Sequence, residues 1–129
     1  MRRALVVDDR PENLDLLRAL LAGHGCAVVE AGNGEEALAL ARQAPPDVAI
    51  TDLLMPGMDG FTLLRHWKAD PVLRSVPLVV YTATYTDPQD EQLALDLGAD
   101  AFLLKPAEPD AFLARLDEVC ARTERGQRP

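Results

Sequence analysis

A chain of 129 residues, 48% of them hydrophobic, suits one compact domain that buries a real core and leaves no room for two full domains. Its formal charge of -8 excludes a nucleic-acid-binding surface spread over the domain, because phosphate backbones attract basic patches. The first apolar run stops after four residues at Asp8, far short of a signal-peptide core or membrane span, so a cytoplasmic chain without membrane association is expected.

Apolar runs of four to six residues alternate five times with segments of helical period. Ala4 to Val7 reads as the first strand. Pro11 opens a helix whose Leu14, Leu17, Leu20 and Leu21 share one face until Gly23-His24-Gly25 ends it. Cys26 to Val29 is a short second strand, and Gly34 to Arg42 a helix that stops before Pro45-Pro46. Val48-Ala49-Ile50 reads as a central strand. After the loop Pro56 to Gly60, Phe61 to Lys68 spaces Leu64 and Trp67 for a third helix. Leu78 to Tyr81 is the fourth strand. Thr86-Asp87-Pro88 offers a cap and a first-turn proline for a helix to about Leu97, with Gly98 as its left-handed stop. Ala101 to Leu104 is the fifth strand, and a last helix from about Pro109 places Phe112, Leu113, Leu116, Val119 and Cys120 on one side. The expected domain spans residues 1–121, followed by a polar tail or linker stub over 122–129. Cys26 and Cys120 form no CxxC or Cys/His cluster and are expected as buried free thiols.

Strict alternation with right-handed crossovers predicts an α/β fold: a doubly wound, five-stranded parallel sheet with helices on both faces. Ligands of such sheets bind beyond the carboxyl ends of the strands. Asp8 and Asp9 stand there after the first strand, Asp52 after the third, Thr82 after the fourth and Lys105 after the fifth. Any one of these is as readily the start of a solvated loop. Together they are not: parallel strands lie about 5 Å apart, so the side chains can converge. Three carboxylates meeting there repel unless a proton or cation intervenes, and an oxygen-only donor set points to a hard divalent ion, Mg2+ above all.

The segments Leu5-Val6-Val7-Asp8-Asp9, Asp47 to Gly60, Tyr81-Thr82-Ala83 and Gly98 to Pro106 together resemble the response-regulator receiver family of two-component signalling, over about Ala4 to Val119. The resemblance implies the strand order 2-1-3-4-5 and a phosphorylation switch that is not itself an enzyme. It makes Asp52 the phosphoacceptor for a histidine kinase or phosphotransfer protein. Mg2+ is held by Asp9, by Asp8 largely through water, by Asp52 and by the Leu54 backbone carbonyl. Thr82, followed by Ala83, is the switch hydroxyl that reaches phosphoryl oxygens by moving inward; Lys105 pairs with the phosphate, and Phe102 is the aromatic that follows the switch. A cis Lys105-Pro106 bond belongs to the same resemblance. Leu54, often polar in the family, is apolar here, which suggests a shielded, long-lived acyl phosphate.

A phosphohydrolase of the haloacid dehalogenase type would need a second acid two residues after the nucleophile, where this chain has Leu54. A flavodoxin-like carrier would need a glycine- and hydroxyl-rich loop where Asp8-Asp9-Arg10-Pro11 stands. A receiver-like module that binds partners without phosphorylation is disfavoured by the complete acid, hydroxyl and lysine set. The kinase is expected against the first helix near Pro11 and Leu14, and a homodimer through the face of the fourth helix, fifth strand and fifth helix is compatible with its mixed charges.

Overall fold

The structure is a computed structural model that describes residues 2–83 and 87–124, with the backbone alone for 123 and 124. Five strands, β1 (Arg2–Val7), β2 (Cys26–Ala31), β3 (Val48–Thr51), β4 (Leu78–Ala83) and β5 (Ala101–Lys105), form one parallel sheet ordered β2-β1-β3-β4-β5. The helices are α1 (Pro11–Gly23), α2 (Gly34–Gln43), α3 (Gly60–Ala69), α4 (Pro88–Asp96) and α5 (Pro109–Glu124).

Side chains alternate across the sheet, which divides the core into two layers. From β1, Leu5 and Val7 join Leu63, Leu64 and Trp67 of α3 and Ala37 and Leu38 of α2. Ala4 and Val6 point the other way, onto Leu17 and Leu21 of α1 and Phe112 and Leu116 of α5. Covered on both faces, β3 is apolar almost throughout and buried at every residue. Trp67, fully buried, donates its indole N–H to the Val76 carbonyl at 2.9 Å, so the largest core side chain leaves no polar atom stranded.

The strands run longer than apolar content alone predicts. β2 reaches Ala31 and β1 starts at Arg2, because polar residues at a strand end still complete the ladder: Arg2 pairs with Cys26 and Val6 with Glu30. β4 likewise takes in Thr82 and Ala83, and β5 takes in Lys105. Of the expected capping segment Thr86-Asp87-Pro88, Thr86 lies outside the described residues and Asp87 is the N-cap of α4. The Asp87 carboxylate accepts from the Gln89 amide at 2.9 Å, and the Asp87 amide donates back to Asp90. Gly98 carries the expected positive φ, 107°, and takes the chain into β5. α5 continues to Glu124, so the first residues of the expected tail extend its last turn. Both cysteines are buried and neither forms a disulfide, and burial pushes the Cys26 thiol pKa up.

Candidate metal and phosphoacceptor site

The register of the central strands gathers the polar residues at one end of the sheet. Val7 pairs with Thr51, so Asp8 and Asp52 leave neighbouring strands side by side, and the Asp52 amide closes the ladder onto the Val7 carbonyl at 3.1 Å. One oxygen each from Asp8, Asp9 and Asp52 lies within 4.8 Å of the other two. Asp8 is buried, Asp52 half-buried and Asp9 exposed, so the triad opens to solvent on the Asp9 side. Three carboxylates face one ammonium here, and the donors are all oxygen; both features fit a small divalent cation.

Lys105 enters from β5 and spans the site, with Nζ 3.0 Å from Asp8 Oδ2 and 3.3 Å from Asp52 Oδ2. Its ammonium also lies 5.6 Å from the centroid of the Tyr81 ring. The Tyr81 hydroxyl in turn accepts from the Ala107 amide at 3.1 Å, which ties the β5–α5 connection to the same aromatic. The Lys105–Pro106 peptide bond is cis.

The two oxygens of Asp52 differ. Oδ1 accepts from the Leu53 amide at 2.6 Å, the Leu54 amide at 3.4 Å and the Thr82 hydroxyl at 2.9 Å, whereas Oδ2 has Lys105. Oδ1 is therefore held in place by three donors, while Oδ2, with Lys105 alone, keeps acceptor capacity. Thr82, expected as the hydroxyl that reaches phosphoryl oxygens by moving inward, is fully buried here and donates to the Asp52 carboxylate. A buried hydroxyl needs an acceptor, and the Asp52 carboxylate is a strong one.

The other expected residues lie nearby with different surroundings. Ala83 ends β4, half-buried and paired with Lys105 across the ladder. Phe102 is half-buried against the core layer of α2 and α3. The Leu54 side chain stands 52% exposed beside Asp52. Leu14 packs partly into the α1 and α5 core, while Leu16 of α1 is a large apolar side chain left 71% exposed. Leu16 and Leu20 line a 570 Å³ groove with Asn13, Tyr81, Lys105 and Pro106.

Asn13 was not singled out by sequence. It stands in the first turn of α1 and its Nδ2 donates to Asp8 Oδ2 at 3.1 Å, while the Arg10 amide donates to Asp8 Oδ1 at 3.0 Å. A polar residue in the first turn after an acidic strand end was the available signal.

The chain matches the family described as response regulator receiver domain over residues 4–117. It is 36% identical to the protein PilH of Pseudomonas aeruginosa, covering 94% of this chain and 99% of PilH. It is 38% identical to the DNA-binding response regulator MtrA of Mycolicibacterium smegmatis, covering 95% of this chain. The chain spans about half of MtrA (52%) and 30% of the Caulobacter vibrioides response regulator PleD, to which it is 39% identical. A putative response regulator from Chloroflexus aurantiacus superposes with a TM-score of 0.89 at 34% identity, covering 94% of this chain and 98% of that one. The Vibrio cholerae chemotaxis protein CheY4 superposes with a TM-score of 0.85 at 33% identity, covering 92% and 98%. Sheet order, strand-end residues and these likenesses agree: the chain belongs to the response regulator receiver domain family.

Proposed function

We propose that this domain is a Mg2+-dependent phosphorylation switch of a two-component phosphorelay, with Asp52 as the phosphoacceptor. The observation that carries this reading is the convergence of Asp8, Asp9, Asp52, Thr82 and Lys105 at the carboxyl end of one sheet. Asp8, Asp9, Asp52 and the Leu54 carbonyl would hold Mg2+, which supplies positive charge against the phosphoryl oxygens when bound. The Asp52 carboxylate forms the new O–P bond through its less encumbered oxygen. The bond from phosphorus to the donor breaks, and the electron pair leaves with acetate or imidazole. Lys105, bonded to both Asp8 and Asp52, balances charge beside the acceptor. Thr82 donates to Asp52 before transfer and to a phosphoryl oxygen after it, so the switch exchanges one hydrogen-bond acceptor for another.

The phosphodonor, a histidine kinase or phosphotransfer protein, docks in the apolar groove between α1 and the β5–α5 connection, which brings its phosphohistidine beside Lys105. Phe102 relays the change toward the face of α4, β5 and α5, where Leu93 and Leu104 are 40% and 44% exposed. That face is the proposed output and homodimer surface; light scattering with beryllofluoride should detect a dimer, and Leu104→Glu should abolish it. Among the described residues no helix is long and apolar enough to cross a membrane.

Acetyl phosphate with Mg2+ tests the chemistry. The wild type should gain one phosphoryl group and Asp52→Asn none; equal labelling of both proteins would remove Asp52 from its role.

A further inference from the structure

We infer that Asn13 is a positioning residue that weakens the grip of the carboxylate triad on its cation by occupying an acceptor site on Asp8; the inference rests on the proposed Mg2+ reading. A carboxylate oxygen has two lone-pair directions. Asp8 Oδ2 has both engaged, by Asn13 Nδ2 at 3.1 Å and Lys105 Nζ at 3.0 Å, and Oδ1 has one engaged by the Arg10 amide. A cation therefore meets Asp8 with one oxygen already filled, which leaves direct ligation to Oδ1 or contact through water.

The two donors on Oδ2 differ in kind. Lys105 is charged and shared with Asp52, so it responds to whatever Asp52 carries. Asn13 is neutral and held by the helix, its own amide bonded to the Arg10 carbonyl at 3.1 Å. Its hydrogen bond can be deleted without altering the charge of the site. Asn13 also lines the α1 groove, so this one bond joins the proposed docking surface to the metal carboxylate.

Calorimetric titration of MgCl2 into wild type, Asn13→Ala and Asn13→Leu tests the inference without reference to phosphorylation. Ala favours the helix and Leu keeps the branched shape, so both should fold, and a thermal melt in chelator checks this. Both variants should bind Mg2+ about three- to tenfold more tightly, as expected for freeing one charge-assisted acceptor site. In the wild type the Asn13 side-chain amide resonance should shift as Mg2+ is added. Unchanged or weaker affinity in folded variants overturns the inference, as does an amide resonance indifferent to Mg2+; the resonance alone decides if neither variant folds. A wild type that takes up no Mg2+ would remove the functional reading itself.

Discussion

The junction between β3 and α3 sets where Asp52 stands, and Gly60→Ala should move it. A Cβ on Gly60 would lie 2.6 Å from the Asp52 carbonyl oxygen and 2.7 Å from Leu53 Cα, both backbone atoms. Either the loop or the helix must retreat by about 0.4 Å to reach the 3.0 Å below which such contacts are essentially never seen. Overpacking of this kind costs about 1–3 kcal/mol, and the gain in helix propensity offsets at most about 1 kcal/mol of it. The displaced backbone carries the Leu53 amide that holds Asp52 Oδ1, so the carboxylate shifts as well. Misplacing a reacting group by 1 Å can cost about a hundredfold in rate, so roughly a tenfold loss in labelling by acetyl phosphate is expected. Gly34→Ala is the control. There the new Cβ meets the Met58 side chain, with Sδ at 2.8 Å, Cγ at 3.0 Å and Cβ at 3.1 Å; rotation of the side chain removes the first two contacts, and Met58 Cβ must give by a few tenths of an ångström. Gly34→Ala should cost less than Gly60→Ala, about 1 kcal/mol, and leave labelling unchanged. Urea denaturation with matched m-values and initial labelling rates read both effects. A Gly60→Ala protein as stable and as fast as the wild type, or a Gly34→Ala protein that suffers more, would refute the packing argument.

Lys105→Met should destabilise the domain at neutral pH by about 1–3 kcal/mol in chelator, because the buried Asp8 carboxylate loses an ionic partner. Added Mg2+ should restore much of that loss in urea melts, and a variant insensitive to Mg2+ would contradict the shared-charge picture. The Arg42 guanidinium donates to Asp70 at 2.8 Å, and with the Val72 and Leu73 amides it holds the Asp70 pKa below its ordinary value of 3.8. A depressed folded pKa adds stability that is present above pH 3.8 and lost as pH falls through the lower folded value. Arg42→Ala should therefore flatten the fall of urea midpoint below about pH 4, and an unchanged acid limb would count against this pair. Leu54→Asn, which opens the edge of the site to water, should shorten the acyl phosphate lifetime several-fold; decay no faster than in the parent would dismiss the shielding role of Leu54.

Periodicity and turn chemistry made the layers legible. Helix faces such as Leu17 with Leu21 and Leu64 with Trp67 are strong 3.6-residue signals, and Gly98 or Asp87-Pro88 mark termini whose backbone demands few other residues. The strand-end residues were readable because a parallel sheet places every ligand-side terminus at one edge, so residues as far apart as Asp8 and Lys105 could be expected together. Strand limits were less legible, since Arg2, Glu30 and Thr82 pair through backbone groups that side-chain polarity does not report. The same holds for Leu73, fully buried within the turn after α3, where no period announces burial. Hydrogen bonds of fine geometry, such as Asn13 to Asp8 and Thr82 to Asp52, depend on a few tenths of an ångström that spacing along a chain does not encode.

Where the phosphoryl group sits, and whether it needs the cation, can be read in one experiment. Protein incubated with acetyl phosphate is trapped by borohydride reduction, which converts an acyl phosphate to an alcohol, and the modified residue is located by tandem mass spectrometry. With Mg2+ the modification should fall on Asp52, and with chelator it should vanish. Modification elsewhere, or labelling of Asp52 that ignores the metal, would contradict the account.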